Sequence, residues 1–397
     1  MRRLYQFLVT FILVLLLFGA GTRIVGAEEP GQGEGKQLSD EEADELQTQV
    51  EDAMLGELDF NEIEDSLHSM FPDDKIRFTD VVSALISGNI EETGKMLLNF
   101  LGDQISYEFR YNRHNLVYVL LVALIAAVFT NFSGAFQNRQ ISEISFYVLY
   151  MLLITLCLTA FRTAMSGLEE RLDSLVEFMR VLCPSYFLAV AFASGSVTAL
   201  FFYNVILFLI YVVEILIVRF LLPVVNIYIM VRVMGNLTGE DFLSEFAELL
   251  RKLVSWVLKT LLTCVIGINV VQGLLAPAID TLKRSTLTRT AEALPWVGNV
   301  MGGVTEVVLG TAVLIKNGIG MAGAVIAVAV CAVPLIQMLI MAFMYKLASA
   351  LVQPVSDKRI TGCIGGISEG YEMLVQVLFS VGVLFLLTIA VVAASTS

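Results

Sequence analysis

The chain changes character near Asn115. Apolar residues spaced three or four apart among many charges give way to runs that are apolar at nearly every position. Before that boundary, Leu46, Val50, Met54 and Leu58 repeat at intervals of four, followed by Ile63, Leu67 and Met70, then Val81 with Leu85, and Met96 with Phe100. That period predicts amphipathic helices, each with one face to bury. Ser39 and Glu42 form a capping box, in which hydroxyl and carboxylate satisfy the backbone donors that open a helix. A helical domain over residues 28–113 is small enough that its core is marginal alone, so docking on a partner or on the rest of the chain is expected to stabilise it.

Past the boundary the limit is set by lipid. A helix needs about 20 mostly apolar residues to cross the hydrocarbon, because every backbone polar group there must be satisfied internally. Residues 116–136, 146–166, 253–275, 319–345 and 373–394 meet that length, and 184–233 is long enough for two crossings with a tight turn near Tyr203 and Asn204. Residues 294–315 are apolar but carry Glu306 and four glycines, so they either cross or enter and leave by one face. With the acidic segment outside, Lys283, Arg284 and Arg289 fall inside, and Lys346, Lys358 and Arg359 do so only if 294–315 crosses. The pattern predicts seven or eight spans, with eight favoured. Residues 168–182 and 240–253 are amphipathic; they either rest on the membrane surface or on a partner helix, or are the wet ends of longer helices.

Composition agrees. The 397 residues are 57% hydrophobic and only 16% charged, with mean hydropathy +0.77, too apolar for a soluble globular domain. The expected fold is all-α, a polytopic helical membrane bundle (residues 114–397) with a small helical extracytoplasmic N-terminal domain. Arg2 and Arg3 before an apolar run, then Val25, Gly26 and Ala27 before Glu28, read as a signal peptide over residues 1–27. An uncleaved anchor is the alternative, and either way residue 28 onward is exported.

The net charge of −13 is concentrated. Residues 28–113 hold 22 acidic against 6 basic side chains, whereas 114–397 hold 16 of each. A nucleic-acid partner is not expected, and a basic protein partner suits the exported domain.

Polar groups within the apolar runs are the candidate chemistry. Glu214, Arg219, Lys259, Glu306 and Lys316 each cost about 2.5–3.5 kcal/mol at a helix centre on insertion scales, so each is expected to face protein or water. Glu214 and Arg219 are five positions apart, about 140° around an α-helix, and so are not expected to share a face. The two readings are a polar path through the bundle, favoured for Glu214 and Glu306, and structural ion pairs with snorkelling, favoured for Lys259 and Lys316. Gly362, Gly366 and Gly370, spaced by four, predict a smooth strip that another helix approaches closely, within the chain or between copies in a homo-oligomer.

Apparent catalytic motifs fail on context. Gly366-Ile367-Ser368-Glu369-Gly370 matches a nucleophile elbow, but that chemistry needs a strand-to-helix turn and a downstream histidine, and the two histidines, His68 and His114, lie upstream. Gly94-Lys95 lacks the spacing and the hydroxyl of a phosphate loop, and Gly318, Gly320 and Gly323 lie in an apolar helix pattern with no strand-helix-strand unit. The five cysteines are dispersed. No catalytic residue, cofactor, metal site or disulfide framework is expected.

The run from Gly310 through Lys316 and Asn317 to Gly320, the run from Ala342 through Tyr345 and Lys346 to Pro354, Val271-Gln272-Gly273 and Leu294-Pro295-Trp296-Val297-Gly298 together resemble the stage III sporulation protein AE family of endospore-forming Firmicutes. The order of leader, acidic domain and multi-pass region is similar too. Glu292 stands where that family usually has a lysine, so no role of that lysine carries over, whereas Lys316, Asn317, Tyr345 and Lys346 match. The resemblance implies a non-enzymatic membrane subunit, in the mother-cell membrane around the forespore, of a channel resembling a secretion apparatus and required after engulfment. Its implied partners are the other proteins of the stage III sporulation A operon, membrane lipid and, indirectly, stage II sporulation protein Q from the forespore. A self-sufficient ion-coupled secondary transporter, with Glu214 or Glu306 as the coupling group, is the alternative.

Overall fold

The computed structural model of the chain describes residues 60–70, 77–86, isolated positions between 102 and 128, 139–194, 197–238, 243–291 and 302–394. Among the described residues there is no strand. Two short helices come from the acidic segment, α1 (Asn61–Met70) and α2 (Phe78–Ile86). They are followed by α3 (Arg139–Ser194), α4 (Val197–Glu214), a π-helical turn (Ile215–Leu221), α5 (Leu222–Thr238), α6 (Ser244–Ala291), α7 (Gly302–Val352) and α8 (Lys358–Ala394). Among the described residues, four segments are long and apolar enough to cross a membrane: Phe146–Val190, Asn204–Asn236, Gly310–Val352 and Lys358–Ile389. The leader and the capping box at Ser39 lie outside the described residues, as do most of residues 116–136.

At the centre is an antiparallel hairpin of α7 and α8. In the apolar window of each, 67% is buried within the chain, against 28% for Phe146–Val190 and 39% for Asn204–Asn236, which wrap around them. The hairpin turns at Gln353–Asp357. There the Asp357 carboxylate accepts the Arg359 backbone N–H at 2.8 Å and caps α8, and Ser349 Oγ donates to the Thr361 carbonyl at 3.0 Å. Helix α3 packs along α7, while α5 and α6 pack along α8.

Of the two readings of the amphipathic stretches, the ends of longer helices is the one that holds, and two breaks expected elsewhere are absent. Residues 168–182 continue α3 as one helix from Arg139 to Ser194, and the second amphipathic stretch merges into the start of α6. The chain is helical through Tyr203 and Asn204, so the tight turn expected there does not form. Residues 302–315 of one expected span and the whole of 319–345 belong to one helix, α7, of about 76 Å at 1.5 Å per residue. At Asn204 and at Lys316–Asn317 a polar interruption suggests an end. Backbone hydrogen bonding simply carries through it, because the side chains concerned find water or protein.

The acidic segment docks on the bundle. Glu64 of α1 accepts both the backbone N–H and the hydroxyl of Thr79, at 3.1 and 2.7 Å, tying α1 to α2. Ile63, Leu67, Phe78 and Val82 are buried in the common core. Val82 and Ile86 sit over Gly318 of α7, where an added Cβ would fall 2.7 Å from Ile86 Cγ1.

The glycine strip of α8 meets α5. A Cβ on Gly362 would stand 2.7 Å from Asn236 Oδ1, one on Gly366 would stand 2.9 Å from Arg232 Cγ, and one on Gly370 would collide with Ile229. Gly365, one step off the strip, has room, with Ser349 Oγ at 3.5 Å. Gly370→Val should therefore lower stability by about 1–3 kcal/mol, as overpacking does, while Gly365→Ala stays near the parent. Thermal unfolding of the detergent-solubilised protein followed by intrinsic fluorescence checks this; equal melting temperatures would refute the tight contact.

Candidate functional site

Two polar clusters lie between the membrane helices. The first joins α3 to α4. Arg180 Nη2 is 2.9 Å from Glu214 Oε2, and its other arm, Nη1, is 3.2 Å from Glu177 Oε2. Asp173, Glu177, Arg180, Glu214 and Arg219 line one cleft of about 230 Å³. Glu214 is thus partnered from another helix, by a residue the sequence reading did not single out.

That Glu214 and Arg219 line the same cleft departs from the 140° separation expected. The reason is the π-helical turn that starts directly after Glu214, in which the Leu222 N–H reaches five residues back to the Ile217 carbonyl. With that wider turn, residues five apart stack on one face. The signal is not legible in composition, since Ile215-Leu216-Ile217-Val218 suits an ordinary α-helix equally well.

The second cluster joins α5 to α8. Tyr228 donates its hydroxyl to Glu369 Oε2 at 2.7 Å, Arg232 Nε lies 3.4 Å from the same oxygen, and Asn236 Nδ2 donates to the Arg232 carbonyl at 2.9 Å. This ladder runs beside the glycine strip: the absent side chains at Gly362 and Gly366 are what let Asn236 and Arg232 approach α8. The strip was readable from its spacing, but the charges it admits were not.

The remaining candidates are scattered. Lys316 is buried on α7 near the α2 contact, whereas Asn317 beside it is exposed. Tyr345 is buried with its ring 5.5 Å from that of Tyr371, which in turn packs edge-on against Phe161 at 5.1 Å. Lys346 and Lys259 are exposed, and Glu306 lies in α7 with its side chain outside the described residues. Ser368 donates its hydroxyl to the Ala342 carbonyl at 2.8 Å and is fully buried, so the serine of the elbow-like motif serves as a helix-to-helix tie. Among the described residues no group of three or more His, Cys, Asp or Glu is placed to hold a metal ion.

The two clusters differ in what their removal should do. A double-mutant cycle on Arg180→Ala and Glu214→Gln should return about 1 kcal/mol of coupling in unfolding experiments, because both groups are partly exposed. Zero coupling would make the pair incidental. Glu369→Gln, which keeps an acceptor for Tyr228, should destabilise less than Glu369→Ala, which orphans both neighbours.

Comparison with known proteins bears on what these clusters serve. The family model for stage III sporulation protein AE matches residues 76–396. The chain is also 26% identical over 386 residues to the stage III sporulation protein AE of Bacillus subtilis (strain 168), covering 97% of this chain and 96% of that protein. No solved structure matches. The match takes in α2, which docks on Gly318, both polar clusters and the whole central hairpin, and on that extent the chain belongs to the stage III sporulation protein AE family.

Proposed function

We propose that this sporulation-family membrane protein is a non-enzymatic integral subunit of a channel complex between mother cell and forespore, placed in the mother-cell membrane with its acidic N-terminal domain extracytoplasmic. The observation that carries the reading is the seat of α2 against Gly318, which packs exported segment and membrane bundle into one body. A subunit built this way presents an acidic face to partners between the two membranes while its helices anchor it in the bilayer.

Orientation supports the same arrangement. From Gly318, beside the exported helix, to Lys346 is about 42 Å of helix, enough to cross a hydrocarbon layer of about 30 Å. Lys346, Lys358 and Arg359 then fall on the cytoplasmic side, where Lys and Arg are enriched, although by a different route from the one expected: 204–236 and α7 each make one crossing, which moves Lys283, Arg284 and Arg289 to the opposite side. The partners in this reading are the other proteins of the stage III sporulation A operon and, indirectly, stage II sporulation protein Q.

A clean deletion should block sporulation after engulfment, with heat-resistant spore counts falling sharply and recovering on complementation. Normal spore yield in the deletion would remove the proposal. Purified protein alone in liposomes should show no gradient-driven solute uptake; robust uptake would make it a stand-alone transporter instead.

A further inference from the structure

A knot of buried sulfur and hydroxyl groups stands apart from both polar clusters, where α3, α7 and α8 meet. Helices α3 and α8 are pinned together at two heights: Arg359 lies over the Phe146 ring at 5.7 Å, and Phe161 packs on Tyr371 at 5.1 Å. Between those contacts fall Cys157 of α3 and Cys363 of α8. Both are fully buried, neither is in a disulfide, and their thiols are hydrogen-bonded to each other. The Tyr150 hydroxyl hydrogen-bonds with Cys363 as well. Tyr345 and Tyr371 close the knot. Their hydroxyls are buried without a hydrogen-bond partner, and both lie within electrostatic reach of Cys157.

Two thiols facing each other across packed helices suit a metal ion better than a disulfide. A disulfide draws its sulfurs to about 2 Å with demanding torsions, and a close-packed interior resists that movement. A metal–thiolate bond is about 2.3 Å, so an ion set in line between two sulfurs holds them about 4–5 Å apart, far closer to a hydrogen-bonded spacing. The donors then select the ion. Zinc takes four ligands, whereas among the described residues no third His, Cys, Asp or Glu joins this pair. Soft thiolates select Cu(I), a d10 ion that two sulfurs in line satisfy.

We propose that Cys157 and Cys363 form a buried two-coordinate site for Cu(I) that ties α3 to α8. Binding turns two S–H groups into thiolates and releases two protons, so the bound pair carries one negative charge and the copper keeps its oxidation state. The surroundings offset that charge. The Arg359 guanidinium stands four residues before Cys363 and within electrostatic reach of Tyr150. A thiol is a weak acceptor, but a thiolate accepts charge-assisted hydrogen bonds, which gives the Tyr345 and Tyr371 hydroxyls the partners they lack beside the thiols. The site goes beyond the channel-subunit reading and does not rest on it.

Titration of the reduced full-length protein in mild detergent tests the assignment, with Cu(I) supplied as its bicinchoninate complex and Cys264→Ser removing the exposed thiol. The protein should take one Cu(I) per chain, an excess of Zn²⁺ should not displace it, and X-ray absorption should show two sulfur neighbours. Cys157→Ser or Cys363→Ser should weaken uptake by more than about a hundredfold, beyond the effect expected of an outer partner, and Tyr345→Phe by about tenfold. Cys331→Ser, whose thiol is also buried but faces Gly382, should bind as the parent does. No uptake by the parent, or equal uptake after either serine substitution at the pair, would overturn the site. Should a serine variant fail to fold, the parent's spectrum decides: two sulfur neighbours support the site, and nitrogen or oxygen neighbours overturn it. The reading of the protein as a channel subunit stands or falls on the deletion, whichever way the copper titration goes.

Discussion

Close approach of α5 to the glycine strip of α8 is the contact on which the rest of the bundle depends. In lipid, apolar side chains gain little by leaving the solvent, so helices associate through packing and interhelical hydrogen bonds. Gly362, Gly366 and Gly370 lend their space to Asn236, Arg232 and Ile229. That approach brings Glu369 within reach of Tyr228 and Arg232. A charged residue is thereby satisfied by the same geometry that supplies the dispersion contacts. Had larger residues stood on the strip, the helices would separate and the carboxylate would lose both neighbours at once.

The same logic of paired economies recurs elsewhere in the bundle. Gly318, Gly320 and Gly323 give α7 a second thin stretch, filled by Ile86 from the acidic segment and by Tyr186 and Leu182 from α3. The two helices of the acidic segment are thus held by a groove in the membrane bundle. Ser368, Ser349 and Asp357 add polar ties along the central hairpin, each to a backbone group that would otherwise compete for solvent.

Much of this was legible in the residues, because the period of a helix and the thickness of a bilayer are both written into spacing. The helical architecture of the described residues and the strip spaced by four follow from it, whereas the family resemblance rests on particular runs such as that from Gly310 to Gly320. Helix continuity was not legible. A hydropathy reading places an end wherever charges cluster, as between residues 168 and 182 or at Lys316 and Asn317, since it cannot know that those side chains meet protein or water. Nor could the π-helical turn be foreseen: it alters which residues share a face without altering composition. The partner of Glu214 was missed for a related reason, since Arg180 lies in the amphipathic stretch 168–182, outside the expected spans.

The central claim is that α5 and α8 touch along the glycine strip in the native membrane. Disulfide trapping tests it most directly, with Asn236→Cys paired to Gly362→Cys in a background lacking the native cysteines, and Asn236→Cys paired to Gly365→Cys for comparison. Oxidation of intact membranes should link the first pair readily and the second poorly, because Gly362 faces Asn236 while Gly365 faces Ser349. No linkage of the first pair, or equal linkage of both, would contradict the account.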